Sequence, residues 1–291
     1  MEIINKANSI IAEYNRMGYQ LTLRQLYYQF VSRAIIPNKQ TEYKRLGEIV
    51  NNGRLAGLID WDAIEDRTRN LRVINMWNAP EDVISASASQ YKENPWDNQH
   101  YAPEVWIEKD ALVGVIEPIC NSMRVPFFAC RGYTSQSEQY WAGKRLGAHQ
   151  RRGKRPIIFH LGDHDPSGLD MTRDNQDRLS MFARQGIIVR RLALNYDQVE
   201  EYNPPPNPAK DTDSRFENYR AEHGEFSWEL DALNPPVIKG LIEAALNEII
   251  DRDAWDDSMS GETENRNDLE AAAERWDDVV SWLHETEGDE E

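Results

Sequence analysis

Two aspartates one residue apart, Asp163 and Asp165, close the apolar run in PIIFHLGDHDPSG, residues 156–168. Short apolar runs bounded by turn residues read as buried parallel strands, and ligands of open α/β sheets bind beyond the carboxyl ends of such strands. Carboxylates placed there converge on one hard cation. Mg²⁺ takes octahedral oxygen ligands, usually one or two carboxylates completed by water and substrate phosphates. The same residues also suit a solvated strand-to-helix loop with capping acids. A third carboxylate, Glu108, closes an earlier run in EVWIEKDAL. If the first and third strands are neighbours, Glu108 sits beside the aspartate pair, and three close carboxylates repel unless a cation joins them. The alternative for Glu108 is a surface ion pair with Lys109 or Arg131.

A second kind of chemistry lies far upstream, in LRQLYYQFVSR after Thr22. At 100° per residue, Leu23, Leu26, Tyr27, Phe30 and Val31 share one helix face, which places Tyr27 in the core and Tyr28 on the polar side. Arg24, four residues before Tyr28, is its neighbour on that side. A phenol with an ordinary pKa of about 10 needs help to attack phosphate at neutral pH. An adjacent guanidinium stabilises the phenolate and grips the phosphate together. An ordinary surface or interface role for Tyr28 stays open at this point.

These residues need a frame. Apolar residues at helical spacing over residues 2–17, a helix after Thr22 and a third from Thr41 fill the first part of the chain. WDAIEDRTR (61–69) follows as a wing-like element, so residues 1–75 have the economy of a winged-helix DNA-binding domain. Residues 76–102 read as a linker with a connecting helix. Strands and helices then alternate over 103–255, which predicts an α/β domain with a mostly parallel sheet flanked by helices. Residues 256–291 read as an acidic tail, loop-like at first, with an amphipathic helix over 267–284.

The 291 residues carry a net charge of −17, but unevenly. Residues 251–291 hold sixteen acids against three arginines, whereas residues 1–80 are net basic. The overall charge is therefore a poor guide to any binding surface. Basic residues cluster at Lys144, Arg145, Arg151, Arg152, Lys154 and Arg155, and again at Lys44, Arg45 and Arg54. Such density suits phosphate contacts with double-stranded DNA; cations facing a helix C-terminus are the plainer account of the first group. His160 and His164 read as neighbours of the site rather than ligands, and Asp170 as a helix N-terminal charge. No apolar run approaches the ~20 residues of a membrane span. No signal peptide is evident, and Cys120 and Cys130 lack metal-ligand spacing. A cytoplasmic protein is the expectation.

Taken in order, Glu108 at the end of a first strand, the turn at Gly132, and GDHDPSG after a third strand resemble a Toprim domain. The form of the second motif most resembles topoisomerase VI A subunits and the related meiotic double-strand-break proteins. Arg24-Gln25-Leu26-Tyr27-Tyr28 is similar to that family's tyrosine motif, and WELDAL (228–233) to its E-x-E-A-L segment. The likeness spans about residues 20–250. It implies DNA cleavage by Tyr28 with a 5′-phosphotyrosyl link, Arg24 assisting, Mg²⁺ (or Mn²⁺) held by Glu108, Asp163 and Asp165, and Glu108 as the acid for the leaving 3′ oxygen. It also implies a homodimer in which tyrosine and metal come from different subunits. That family uses a separate ATPase partner for strand passage, and no G-x-x-x-x-G-K-[ST] loop occurs here. A compact stand-alone relative fits better than a topoisomerase. The rival expectations are a Toprim nuclease that uses water and a non-catalytic DNA-binding module.

Overall fold

A computed structural model of the chain describes residues 1–64 and 76–287. Helix α1 (Glu2–Arg16) buries Ala7, Ile10, Ile11 and Tyr14 on one stripe. Helix α2 (Leu23–Ser32) begins with a capping box: the Thr22 hydroxyl accepts from the Gln25 amide, and the Gln25 side chain accepts from the Thr22 amide. Helix α3 (Gln40–Leu55) completes a small core around Leu21, Leu26, Phe30, Leu46 and Val50. After it come a single 3₁₀ turn, Trp61–Ala63, and a parallel bridge from Ile64 to Leu21. The rest of the expected wing lies outside the described residues, so three helices are shown and the wing is not.

Helix α4 (Pro80–Gln90) precedes the alternating part of the chain. There β1 (Tyr101–Ile107), α5 (Val113–Ser122), β2 (Phe127–Ala129), α6 (Gln136–Arg151), β3 (Arg155–Leu161), α7 (Pro166–Ala183) and β4 (Ile188–Ala193) follow one another. The four strands pair in the order β2-β1-β3-β4, all parallel. This is the expected α/β sheet flanked by helices. Its two central strands are buried along almost their whole length, which is why they read as continuous apolar runs. Trp106, Leu146, Ile158, Leu179 and Val189 fill the space between sheet and helices. Because Ile107 stands opposite Leu161, Glu108 and Gly162 leave the sheet side by side.

The chain continues through α8 (Tyr196–Tyr202), β5 (Asn207–Pro208), α9 (Phe216–His223), β6 (Phe226–Ser227) and α10 (Pro235–Asn247). Strands β5 and β6 form a short antiparallel pair, and α10 packs on α5. The last elements are α11 (Arg252–Glu274) and α12 (Trp276–Glu287). Two compact units result: Met1–Thr68 with Tyr101–Ile249, and Arg69–His100 with Ile250–Glu291. Thus the stretches that read as a linker and a tail pack together within the second unit. The loop-like reading after residue 255 is corrected. Asp251 caps α11 by accepting from the Asp253 and Ala254 amides, and Trp255 meets Trp96 edge-on at 5.6 Å. The expected single helix over 267–284 is interrupted at Arg275, where α11 ends. Among the described residues, no helix is long and apolar enough to cross a membrane.

Candidate active site

The loop after β3 is held from three sides. The Asp163 amide donates to Glu108 Oε2 at 2.9 Å. Arg191, on β4, donates to the carbonyls of Gly162 and Asp163 and to the Thr172 hydroxyl. An antiparallel bridge joins His164 to Trp228, with backbone bonds of 2.8 and 3.0 Å. That bridge brings WELDAL against the aspartates, and the Leu230 amide donates to Asp163 Oδ1 at 2.8 Å. Asp165 is the N-cap of α7: its Oδ1 accepts from the Gly168 amide at 2.6 Å, with Pro166 opening the first turn. Gly168 is required by space, since a Cβ there would stand 2.2 Å from the Asp163 carbonyl oxygen.

The structure regroups the acids. Among the described residues, the one trio with ligand atoms all within 4.8 Å of one another is Asp163, Glu229 and Asp231. The expected trio Glu108, Asp163 and Asp165 does not meet that distance, although all three line one cleft of about 370 Å³. Lys109 does not pair with Glu108. Its ammonium lies 2.9 Å from Asp163 Oδ2 and 2.9 Å from Asp231 Oδ1 and also contacts Glu229. Arg131 turns away to Asp110.

Burial decides the proton affinities. It pushes Asp163 up to about 8, helped by Glu108, Glu229 and Asp231 and opposed by Lys109. Burial likewise raises Glu108. For Lys109 burial works against the charge, but the carboxylates outweigh it and the ammonium keeps its proton more tightly than usual. The donors fit a hard cation: they are all carboxylate oxygens, and Asp165 Oδ2 and Glu108 Oε1 accept no hydrogen bond from the described residues.

Tyr28 corrects the helix-face expectation. It does not lie on a polar surface; it is 5% exposed, as is Tyr27. The turn that follows Glu229 packs on α2 and covers that face. Tyr28 nevertheless lines the same cleft as Asp163 and Asp165, so one chain supplies both tyrosine and acids. The Arg24 guanidinium stands 5.8 Å from the Tyr28 ring centre and pairs with Asp231 at 2.6 Å and Glu229 at 3.0 Å. Burial, then Asp231 and Glu229, hold the Tyr28 phenol far above its ordinary value, against the pull of Arg24 and Lys109. Tyr27 donates to Asn38 Oδ1 instead.

The basic residues nominated for DNA divide by partner. Arg145 grips the buried Glu104 at 2.8 and 2.9 Å, and Glu104 also accepts from the Trp106 indole. Arg54 donates to the carbonyls of Trp61 and Ile64, and Arg45 pairs with Glu42. These three serve the fold locally. Lys144 stands over Tyr140 and Arg155 over Tyr101, while Lys44, Arg151 and Arg152 are exposed and Lys154 is half-buried. Closer to the acids, Lys39 and Lys210 are exposed at the rim of the cleft. His160 bonds Thr172 and His164 bonds Tyr219, so neither imidazole bonds the acids. Asp170 is taken by Arg173, Arg215 and Tyr133.

Glu229 and Asp231 are the acids that sequence reading passed over. The signal was the i, i+2 spacing in WELDAL, the same spacing as Asp163 and Asp165. No known family model and no curated protein matches this chain.

Proposed function

We propose that this protein cleaves DNA in a metal-dependent reaction, with Tyr28 as nucleophile, as a compact relative of topoisomerase VI A subunits. The observation that carries the reading is the shared cleft: Arg24 and Tyr28 from α2 face Glu108, Asp163 and Asp165 from the sheet. Lys39 and Lys210 at its rim supply cations for a phosphate backbone. Asp163 and Asp165, with Glu108 beside them, would hold Mg²⁺ or Mn²⁺. Such an ion, when bound, stabilises the charge that develops on the phosphate oxygens.

The chain's own groups do the rest. The Tyr28 hydroxyl gives its proton to Glu229, which lines the cleft with it. The phenolic oxygen forms a bond to phosphorus as the bond from phosphorus to the 3′ oxygen breaks. Glu108, whose affinity for a proton burial raises, donates to that departing oxygen. Arg24 holds the phosphate and counters the charge on the phenolate. A homodimer would present two such clefts, one for each strand of a duplex. A separate ATPase partner is needed only for strand passage.

One observation favours hydrolysis by water instead: Tyr28 is nearly buried and its phenol is held protonated. Incubating the protein with supercoiled plasmid and Mg²⁺ or Mn²⁺, then stopping with detergent, separates the two. Transesterification leaves protein covalently on 5′ ends, and Tyr28→Phe abolishes that product. Cleavage that survives Tyr28→Phe but is lost in Asp163→Asn makes the protein a Toprim nuclease. Binding with no cleavage under either metal makes it a DNA-binding module.

A further inference from the structure

The acids of the cleft fall into two sets by what they touch. Asp163, Glu229 and Asp231 are close enough together to hold an ion of their own. A cation already stands among them, because Lys109 Nζ contacts one oxygen of each. An ammonium has three donors and no acceptor, and here there is one carboxylate for each donor. The Lys109 side chain is only 15% exposed, and Asp231 is fully buried beneath it. Arg24 closes the other side of Asp231 and Glu229. The second set, Asp165 and Glu108, lines the cleft, and Asp165 Oδ2 and Glu108 Oε1 accept no hydrogen bond from the described residues.

We propose that Lys109 fixes the metal count of this cleft at one, by occupying as a built-in cation the position a second divalent ion would take. The geometry agrees: Lys109 already contacts all three carboxylates of the trio, and Arg24 contacts two of them. A second ion would have to displace the ammonium, and a buried ammonium without partners is costly. Lys109 is thus a positioning residue. It orients Asp163 through Oδ2 while the Leu230 amide fixes Oδ1, which leaves the ion to be met from the side of Asp165 and Glu108.

This inference rests on the metal-dependent reading above, and its test uses no DNA. Mn²⁺ is titrated into the full chain, and the free ion is followed by electron paramagnetic resonance. Wild type is expected to take one ion per chain and Lys109→Met two. Two ions on the wild type, or one on both proteins, overturns the proposal. Should Lys109→Met fail to fold, Asp231→Asn and Asp165→Asn decide it. Asp231→Asn is expected to keep one ion at unchanged affinity, whereas Asp165→Asn weakens binding at least about tenfold. Equal losses in the two variants overturn the proposal. A protein that takes one ion yet never cuts plasmid sinks the cleavage reading alone. One that cuts plasmid with two ions bound sinks this inference alone.

Discussion

Acidic residues crowd two regions of this molecule and do different physical work in each. Around the cleft, Asp163, Glu229 and Asp231 are buried or half-buried and share Lys109 and Arg24. On α11, Asp253, Asp256, Asp257, Glu264, Asp268 and Glu270 are exposed. The buried carboxylate of that helix, Glu262, accepts from the Glu93 amide. A charge in water is screened and worth little, whereas a buried charge must be paired or hydrogen-bonded. The net charge of −17 mostly describes the second region. The proposed chemistry belongs to the first, where fewer acids stand under much tighter constraint.

The sharpest way to break that comparison is to remove one cation from the buried set. Lys109→Met leaves Glu229 and Asp231 with Arg24, and Asp163 with the Leu230 amide but no cation. Breaking a buried pair typically costs about 3–5 kcal/mol, and urea unfolding should show a loss of that size. Divalent metal should restore part of it, because an ion can take the vacated position and binding to the folded state alone raises stability. A midpoint close to wild type, with or without Mn²⁺, would mean that Lys109 is no more than a surface partner.

Much of the frame for this site was legible in the chain. The turn-bounded apolar runs around Val105 and Ile158 pointed to parallel strands, their adjacency was only a condition that the pairing of β1 with β3 meets, and Asp163 and Asp165 fall just past the end of β3. Arg24 and Tyr28 are helix neighbours, as their spacing required. What stayed hidden depended on contacts distant in sequence. Tyr28 reads as polar-side because helix periodicity counts only its own helix, while the turn after Glu229 covers it. Glu229 lines the cleft and Asp231 lies buried beside the aspartates because of the bridge from His164 to Trp228, across about sixty residues that no local pattern spans. Helix α11 was missed because it buries few residues, Trp255, Ser258 and Glu262, and is held by contacts such as Trp255 on Trp96 and the Glu93 amide on Glu262.

A smaller effect is expected where the loop of the aspartates meets α7. Replacing an exposed helical glycine by alanine normally gains about 0.5–1 kcal/mol. Gly240, on α10, has nothing within 4 Å of an added Cβ, so Gly240→Ala should follow that rule. Gly168→Ala should reverse it. Its Cβ would meet the Asp163 carbonyl oxygen, which belongs to the backbone and cannot turn aside. Overpacking of this kind costs about 1–3 kcal/mol. The displaced loop should also lower Mn²⁺ affinity, since Asp163 and Asp165 flank the contact. Paired urea titrations and metal titrations check both signs; a stabilised Gly168→Ala protein with unchanged Mn²⁺ binding contradicts the account.

The smallest effect tests the other half of the comparison. Glu264→Gln and Asp268→Asn, on the exposed face of α11, should each change stability by no more than about 0.5 kcal/mol. Their sign is informative. Neighbouring acids repel on a helix, and like charges one turn apart cost a few tenths of a kcal/mol, so neutralisation should be neutral or slightly favourable. Salt should imitate it. Raising NaCl from 0.1 to 1 M shortens the screening length from about 10 to about 3 Å, and hydrogen exchange along α11 should slow as the repulsion is screened. Screening reaches the buried acids far less, so the short contacts among Lys109, Asp163 and Asp231 should respond weakly to the same change. If exchange on α11 quickens with salt, or if either neutral variant costs as much as Gly168→Ala, then the acids of α11 are held in specific pairs, and the contrast between the two regions fails.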